Sequence, residues 1–265
     1  MKITFRSPRN NELKKIIEGF YIVNEDSINS DIQYLTFPNN YNIFSIFQNA
    51  SITYNNAELL IYSNSNCNIE SILINHYVKP IKISYKGITR EITIYFKPLG
   101  INYFTKIGDI CKRDHLFNFN LLELNECEEL FNIENPDLKF DKLEEFLLYR
   151  INKIDLSFIE LLIKQVEGNN RIKDISMEIE CSRKYIHELF LKYLGKTPSQ
   201  YRKIHRFRNS LREFSLNKKL TELTYENNFF DQSHLIKDFK SLTTYQPSFF
   251  LKNVDTTQKN VWLFI

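Results

Sequence analysis

The sequence predicts an α+β protein: a β-rich N-terminal sandwich or barrel with flanking helices, then an all-α C-terminal region of two helix-turn-helix units joined by a linker helix. Three observations predict it. Between Asp31 and Lys97, short β-rich runs alternate with turn residues. After Pro98 the apolar residues return to helical spacing. In the last third, Ser182, Ile186, Phe190, Pro198 and Lys203 recur 49 residues later as Asp231, Leu235, Phe239, Pro247 and Lys252.

Taken in order, Leu13, Ile16, Ile17 and Phe20 have the spacing of a short amphipathic helix after Pro8. The strand-like runs are Ile32–Phe37, Ile43–Phe47, Ser51–Tyr54, Leu59–Tyr62, Ile81–Tyr85 and Ile92–Phe96, punctuated by Asn clusters and by Lys86-Gly87. Their aromatics Tyr34, Phe37, Phe44, Phe47, Tyr54 and Tyr95 serve either as plain core or as the lining of a pocket. Helical structure is expected over 121–133 and 141–167, with Glu134-Asn135-Pro136 as the break between them, and the second stretch reads as two helices, one through Leu143, Phe146 and Leu147 and one through Phe158, Leu161 and Leu162. Gly168-Asn169-Asn170 reads as a stop and linker, dividing the chain into domains 1–168 and 169–253, with an apolar tail 254–265.

The C-terminal units follow from capping chemistry. Ile172, Ile175 and Ile179 give a short helix, Glu180-Cys181 a turn, and Ser182 an N-cap whose hydroxyl satisfies a free backbone N–H. Ile186, Leu189, Phe190, Tyr193 and Leu194 form one apolar stripe; Arg183, Lys184, His187, Glu188 and Lys192 lie opposite. Gly195 favours the left-handed stop, and Thr197-Pro198 supplies the next N-cap and first helical residue. That next helix, over 198–214, spans about 26 Å at roughly 1.5 Å per residue. It can hold two binding units about one DNA turn apart, near 34 Å between centres. The second unit repeats the plan with Leu220, Leu223 and Thr224, a turn one residue longer that contains Asn228, the N-cap Asp231, and the core residues Leu235, Phe239 and Leu242. The terminal Val261-Trp262-Leu263-Phe264-Ile265 is apolar enough that it should pack on a domain or a partner.

Charge separates the two parts. Residues 171–253 carry 16 Lys and Arg against 9 Asp and Glu, while the remainder carries 19 against 23. A basic block beside a mildly acidic remainder fits a nucleic-acid-binding region fused to something else. Cys67, Cys111, Cys127 and Cys181 form no CxxC pair and no zinc-spaced cluster, so free thiols and a cytoplasmic location are expected. There is no run of 18 apolar residues and no leader-like start, so no membrane association is expected. No phosphate loop, nucleophile elbow or HExxH occurs, and the N-terminal region has His76 and His115 without a His-x-His pair. The expectation is a non-enzyme with no cofactor, no catalytic residues and no metal.

The segments IKDISMEIECSRKYIHELFLKYLGKTPSQYRKIHRFRNSL and LTELTYENNFFDQSHLIKDFKSLTTYQPSFF resemble the DNA-binding domain of the AraC/XylS family of transcription regulators over about 80 residues. The resemblance rests on Ser182, Ile186, Phe190, Gly195, Thr197, Pro198 and Tyr201, and on Phe229, Asp231, Gln232, Ser233, Phe239, Lys240 and Pro247. Where the family has small residues and glycines, the second unit has Thr224, Asn228 and Thr244, and His234-Leu235 displaces an aromatic. The run Ile94–Gly100 resembles a signature that closes the N-terminal domain in one subgroup.

The resemblance implies a cupin-like N-terminal barrel that senses a small-molecule effector or forms a homodimer. It also implies double-stranded DNA as partner, and RNA polymerase if the protein is an activator. The second helix of each unit would enter the major groove, which makes Lys184, His187, Glu188, Gln232, Ser233 and Lys237 the base-reading candidates. Arg183, Lys192, Lys203, Arg206 and Lys240 become the phosphate candidates; bracing of the linker helix is the alternative for Arg206, and an i,i+4 pair the alternative for Lys184 and Glu188. The competing reading of the whole chain is a small-molecule-binding cupin-like barrel with a helical appendage that no longer binds DNA.

Overall fold

The computed structural model describes residues 3–23, 32–55, 57–66, 69–87, 89–112, 114–168, 170–214, 220–227, 229–255 and 263–264. Its N-terminal part holds β1 (Ile3–Arg6), α1 (Asn11–Ile16), β2 (Ile17–Val23), β3 (Ile32–Thr36), β4 (Asn42–Gln48), β5 (Ala50–Asn55) and β6 (Glu58–Ser63). Then come β7 (Ile69–Ile74), β8 (Ile81–Lys86), β9 (Arg90–Phe96), β10 (Leu116–Asn118), α2 (Leu124–Asn132) and α3 (Pro136–Arg150). The strands make a six-stranded sheet ordered β1-β2-β9-β4-β7-β10 and a four-stranded sheet ordered β3-β8-β6-β5. In the larger sheet β9 lies antiparallel between β2 and β4, with Ile94 opposite Phe20 and Phe44.

One face of that sheet is apolar by alternation. Phe20, Ile22, Phe44, Ile46, Ile92, Ile94 and Phe96 pack with Leu13 of α1, Leu130 and Phe131 of α2, and Phe140, Leu143 and Leu147 of α3. The other face of β9 carries a buried carboxylate: Glu91 accepts from Tyr21 Oη at 2.7 Å, Tyr85 Oη at 2.5 Å and Thr93 Oγ1 at 2.5 Å. Three hydroxyl donors compensate the water that burial removes from Glu91.

The expected helix through Phe20 stops earlier. Asn10 caps α1 by accepting from Glu12 and Leu13 N–H, the helix ends at Ile16, and the chain turns directly into a strand. Gly19 makes the pairing possible, since a Cβ there would sit 2.2 Å from the Phe5 ring. The run near Gly100 has an equally local cause. Leu99 adopts φ +70, and a Cβ on Gly100 would lie 2.0 Å from the Ile16 carbonyl oxygen, which accepts the Lys97 N–H at 2.9 Å.

The helical part comprises α4 (Ser157–Glu167), α5 (Ile172–Glu178), α6 (Arg183–Leu194), α7 (Pro198–Glu213), α8 (Leu220–Glu226), α9 (Gln232–Thr243) and α10 (Pro247–Asn253). The two helices expected within 141–167 are α3, which starts earlier at Pro136, and α4, where Asp155 Oδ1 accepts the Ser157 N–H at 2.9 Å. At the C-terminus β11 (Val254–Asp255) pairs antiparallel with β12 (Leu263–Phe264), so part of the apolar tail is tied by its backbone. Val261, Trp262 and Ile265 lie outside the described residues.

Contacts divide the chain into two compact units. The first comprises Met1–Gln33, Tyr41–Asn75 and Lys82–Ile154; the second comprises Tyr34–Asn40, His76–Ile81 and Asp155–Ile265. The second unit thus takes in α4 and two short segments from the strand-rich part of the sequence.

Candidate nucleic-acid interface

The second unit is built around α7. Thr197 and Gln200 form a reciprocal capping box, with Gln200 N–H to Thr197 Oγ1 at 3.2 Å and Thr197 N–H to Gln200 Oε1 at 2.9 Å. Tyr201, Ile204, Phe207 and Leu211 are buried along one side. The cationic residues of α7 are mostly tied internally. Arg202 donates to the carbonyls of Val166 and Asn170, each at 2.6 Å, and Arg208 Nε donates to the Pro38 carbonyl at 2.9 Å.

The first helix-turn-helix consists of α5 and α6. Ser182 Oγ accepts the Tyr185 N–H at 3.0 Å, and the turn before it places Glu180 at φ +53, where the Cys181 N–H reaches the Ser176 carbonyl at 3.0 Å. Helix α6 buries Ile186, Leu189, Phe190 and Leu194 and leaves Arg183, Lys184, His187, Glu188 and Lys192 exposed. Lys184 and Glu188 approach to 3.8 Å, the spacing of a solvated i,i+4 pair that adds little stability and is easily opened. Gly195 ends the helix at φ +64; a Cβ there would come within 2.7 Å of the His76 ring, so both backbone and space require glycine.

The second helix-turn-helix consists of α8 and α9. Asp231 Oδ1 accepts the His234 N–H at 2.7 Å, and α9 buries Leu235, Phe239 and Leu242 while Gln232, Ser233, Lys237 and Lys240 are exposed. The turn expected at Asn228 lies outside the described residues. Beside it, Asn227 Nδ2 donates to Glu213 Oε2 at 2.8 Å and to the Leu223 carbonyl at 3.2 Å. Thr224, standing where a small residue was expected, turns its hydroxyl back to the Leu220 carbonyl at 2.7 Å.

A charge cluster fastens α9 to α7. Asp238 is buried and accepts from Arg206 Nη2 at 2.9 Å, with Lys203 Nζ at 3.6 Å and His234 Nε2 at 3.4 Å. The Arg206 guanidinium also lies 5.2 Å from the centre of the Phe229 ring. Of the five phosphate candidates, Arg183, Lys192 and Lys240 are therefore exposed, while Lys203 and Arg206 face the Asp238 carboxylate. Asp238 escaped the sequence reading although its signal was present: an acidic residue on the Leu235, Phe239, Leu242 stripe needs a cation to be buried there.

The second unit's core is completed from far away in sequence. Phe37 is fully buried among Phe207, Leu235, Phe239 and Phe250, edge-on to Phe250 at 4.8 Å between ring centres. Its carbonyl accepts from Tyr77 Oη at 2.7 Å and from Arg208 Nη2. Sequence reading placed Phe37 at the end of a strand; nothing local to it signals a place among helices 170 residues away.

Elsewhere, the first unit contains a cleft of about 610 Å³ lined by Phe104, Ile110, Phe119, Leu121, Lys106 and Arg150, among others. Among the described residues no group of three or more His, Cys, Asp and Glu is placed to hold a metal, and no helix is long and apolar enough to cross a membrane. Cys111, Cys127 and Cys181 are free thiols, and burial pushes the Cys127 thiol up to about 12; Cys67 lies outside the described residues.

Residues 175–253 match the model of a family described as a helix-turn-helix domain. A curated relative, the uncharacterized HTH-type transcriptional regulator YidL of Escherichia coli (strain K12), is 39% identical over 88 residues. The match covers 32% of this chain and 29% of that protein. Two solved structures with low overall likeness are ToxT from Vibrio cholerae in a P21 form and unsaturated-fatty-acid-bound wild-type ToxT from strain SCE256. The first has 15% identity, TM-score 0.48 and coverage of 95% of this chain and 98% of its own; the second has 15%, 0.47, 89% and 94%.

Proposed function

We propose that this chain, which carries an AraC-type helix-turn-helix domain at its C-terminus, is a cytoplasmic, sequence-specific transcription regulator that reads two successive major-groove segments of double-stranded DNA. The observation that carries the reading is the pair of capped helices α6 and α9, each burying an apolar stripe and presenting an exposed polar face. Lys184, His187 and Glu188 are the base-readers of the first segment, and Gln232, Ser233 and Lys237 those of the second. Lysine donates to guanine, glutamine pairs with adenine, and glutamate accepts from cytosine N4. Arg183, Lys192 and Lys240 contact phosphates. Lys203 and Arg206 orient α9 through Asp238, and their charge contributes to the local field rather than to direct phosphate contacts. The protein performs no catalysis in this role.

The first unit, residues 1–154 apart from the segments that join the second, would supply effector sensing and dimerisation, and the cleft beside Arg150 is its candidate effector site. Arg150 is already paired with Glu126 at 2.5 Å, so an anionic effector would compete with that carboxylate.

The test is duplex binding as a function of salt. A protein neutralising several phosphates loses affinity linearly in log[salt], with a slope of roughly −0.9 per phosphate. Replacing Lys192 should lower the slope by about one and weaken all sequences alike, whereas replacing Lys184 should flatten sequence preference. Absence of duplex binding at low salt across a random pool would overturn the reading.

A further inference from the structure

We infer that Phe230 is a specificity-determining residue that contacts a thymine methyl group beside the second recognition helix. The inference rests on the DNA-binding reading above and goes beyond its polar base-readers. Phe230 is 89% exposed, whereas its neighbour Phe229 is buried. Covering part of an exposed aromatic ring adds favourable apolar contact to any complex that reaches it.

Its position is fixed by its own backbone. Phe229, the residue before Phe230, is anchored with its ring edge-on to His234 at 5.6 Å. The Phe230 N–H donates to His234 Nδ1 at 3.3 Å. The residue after it, Asp231, caps α9. Three consecutive ties hold the main chain, so the direction of the side chain's first bond is set and only its two torsions remain to be ordered on contact. The place of presentation is the N-terminal end of α9, two residues before Gln232, and N-terminal residues of a recognition helix are those that meet base edges. The exposed side chains that follow it in the chain, Asp231, Gln232, Ser233, Lys237 and Lys240, are polar and carry two lysines against one carboxylate, which suits a nucleic acid better than an apolar protein groove.

The chemistry that matches an apolar side chain in the major groove is the C5-methyl group of thymine, the one apolar feature on that edge. The first unit has no equivalent. The residue 49 positions earlier is Cys181, small and half-buried. The inference therefore assigns an apolar readout to the second unit alone.

The experiment uses the full chain and a duplex selected by it from a random pool. Each thymine of that duplex is replaced in turn by deoxyuridine, which removes only the methyl group. Wild-type protein should lose about fourfold in affinity at one thymine of the segment read by α9, the value of one buried methylene-sized group. Phe230→Ser should bind the thymine duplex about fourfold more weakly and show no further loss at that position. Tyr149→Ser, which removes a 91%-exposed aromatic from α3, should keep the full wild-type sensitivity. Equal deoxyuridine sensitivity in wild type and Phe230→Ser would overturn the inference. So would a Phe230→Ser protein that binds every duplex normally but fails to activate transcription with purified RNA polymerase, since Phe230 would then face a protein. Both outcomes leave duplex binding intact, whereas loss of the parent reading shows as no binding by the wild type.

Discussion

In the first helix-turn-helix unit Gly195 ends the recognition helix at φ +64; in the second, Thr244 holds the equivalent place at φ +70. The two backbones take the same left-handed step, and only one has the residue that takes it freely. Elsewhere the second unit compensates. It adds the Arg206–Asp238 clamp, the Asn227 bonds to Glu213 and Leu223, and a core that closes on Phe37. The first unit's recognition helix carries instead the exposed Lys184–Glu188 contact. The difference teaches that the repeat conserves where elements start and stop, while what holds each unit together has diverged.

The largest effect should come from the core. Phe37→Ala removes a fully buried ring and should cost about 3–5 kcal/mol, focused on α8, α9 and α10. Hydrogen exchange resolved by segment checks this: amides of α9 should lose protection while those of α6 retain it. Equal loss in both helices would break the comparison.

Next is the clamp. Asp238→Ala strands the Arg206 guanidinium and should destabilise the second unit by about 1–3 kcal/mol, the cost of leaving a buried donor without its partner. A double-mutant cycle with Arg206→Ala should recover much of that as coupling. Lys184→Ala with Glu188→Ala, by contrast, should show coupling of no more than about 0.5 kcal/mol.

The helix stops give a pair of opposite sign. Thr244→Gly should stabilise by roughly 1 kcal/mol by relieving a left-handed residue with a Cβ. Gly195→Ala should destabilise by more than that, because the added methyl also meets the His76 ring. Thermal melts of the two variants decide it.

The smallest effect concerns pH. His205 stacks on Tyr201, meets Glu167 Oε1 at 3.3 Å through Nδ1, and accepts from Asn209 at 2.9 Å through Nε2. Burial lowers its pKa, opposed by the Glu167 charge and assisted by Arg212 and Arg206. A histidine with a lowered folded-state pKa contributes stability above its ordinary value, near 6.5, and loses it as pH falls through that value toward the folded one. Melting temperature should therefore decline on acidification from pH 7 to pH 5, and the decline should shrink in His205→Asn.

The helical half was legible because its signals are local. Caps at Ser182, Thr197 and Asp231, stops at Gly195, and prolines at 198 and 247 act within one turn of chain. The strand-rich half was read less fully. Leu13, Ile16, Ile17 and Phe20 fit a helical period, yet the chain leaves the helix at Ile17 because β9 offers a pairing partner 70 residues on, as in Ile22 to Ile92. Strands β1, β7 and β10 carry weaker signals, since β7 (Ile-Glu-Ser-Ile-Leu-Ile) does not alternate and β1 and β10 are only four and three residues long. For the candidate site, exposure of the polar faces of α6 and α9 followed from helical periodicity. The engagement of Lys203 and Arg206 by Asp238, and the entry of Phe37, are tertiary events that periodicity does not encode.

The central claim, two unequal groove-reading units on one domain, is tested most directly by selecting duplexes from a random library with wild type, Lys184→Ala and Gln232→Ala. The account predicts two preferred segments about one helical turn, roughly 34 Å, apart, with Lys184→Ala erasing preference in one and Gln232→Ala in the other. A single preferred segment that is untouched by Gln232→Ala, or no enrichment at all, would contradict it.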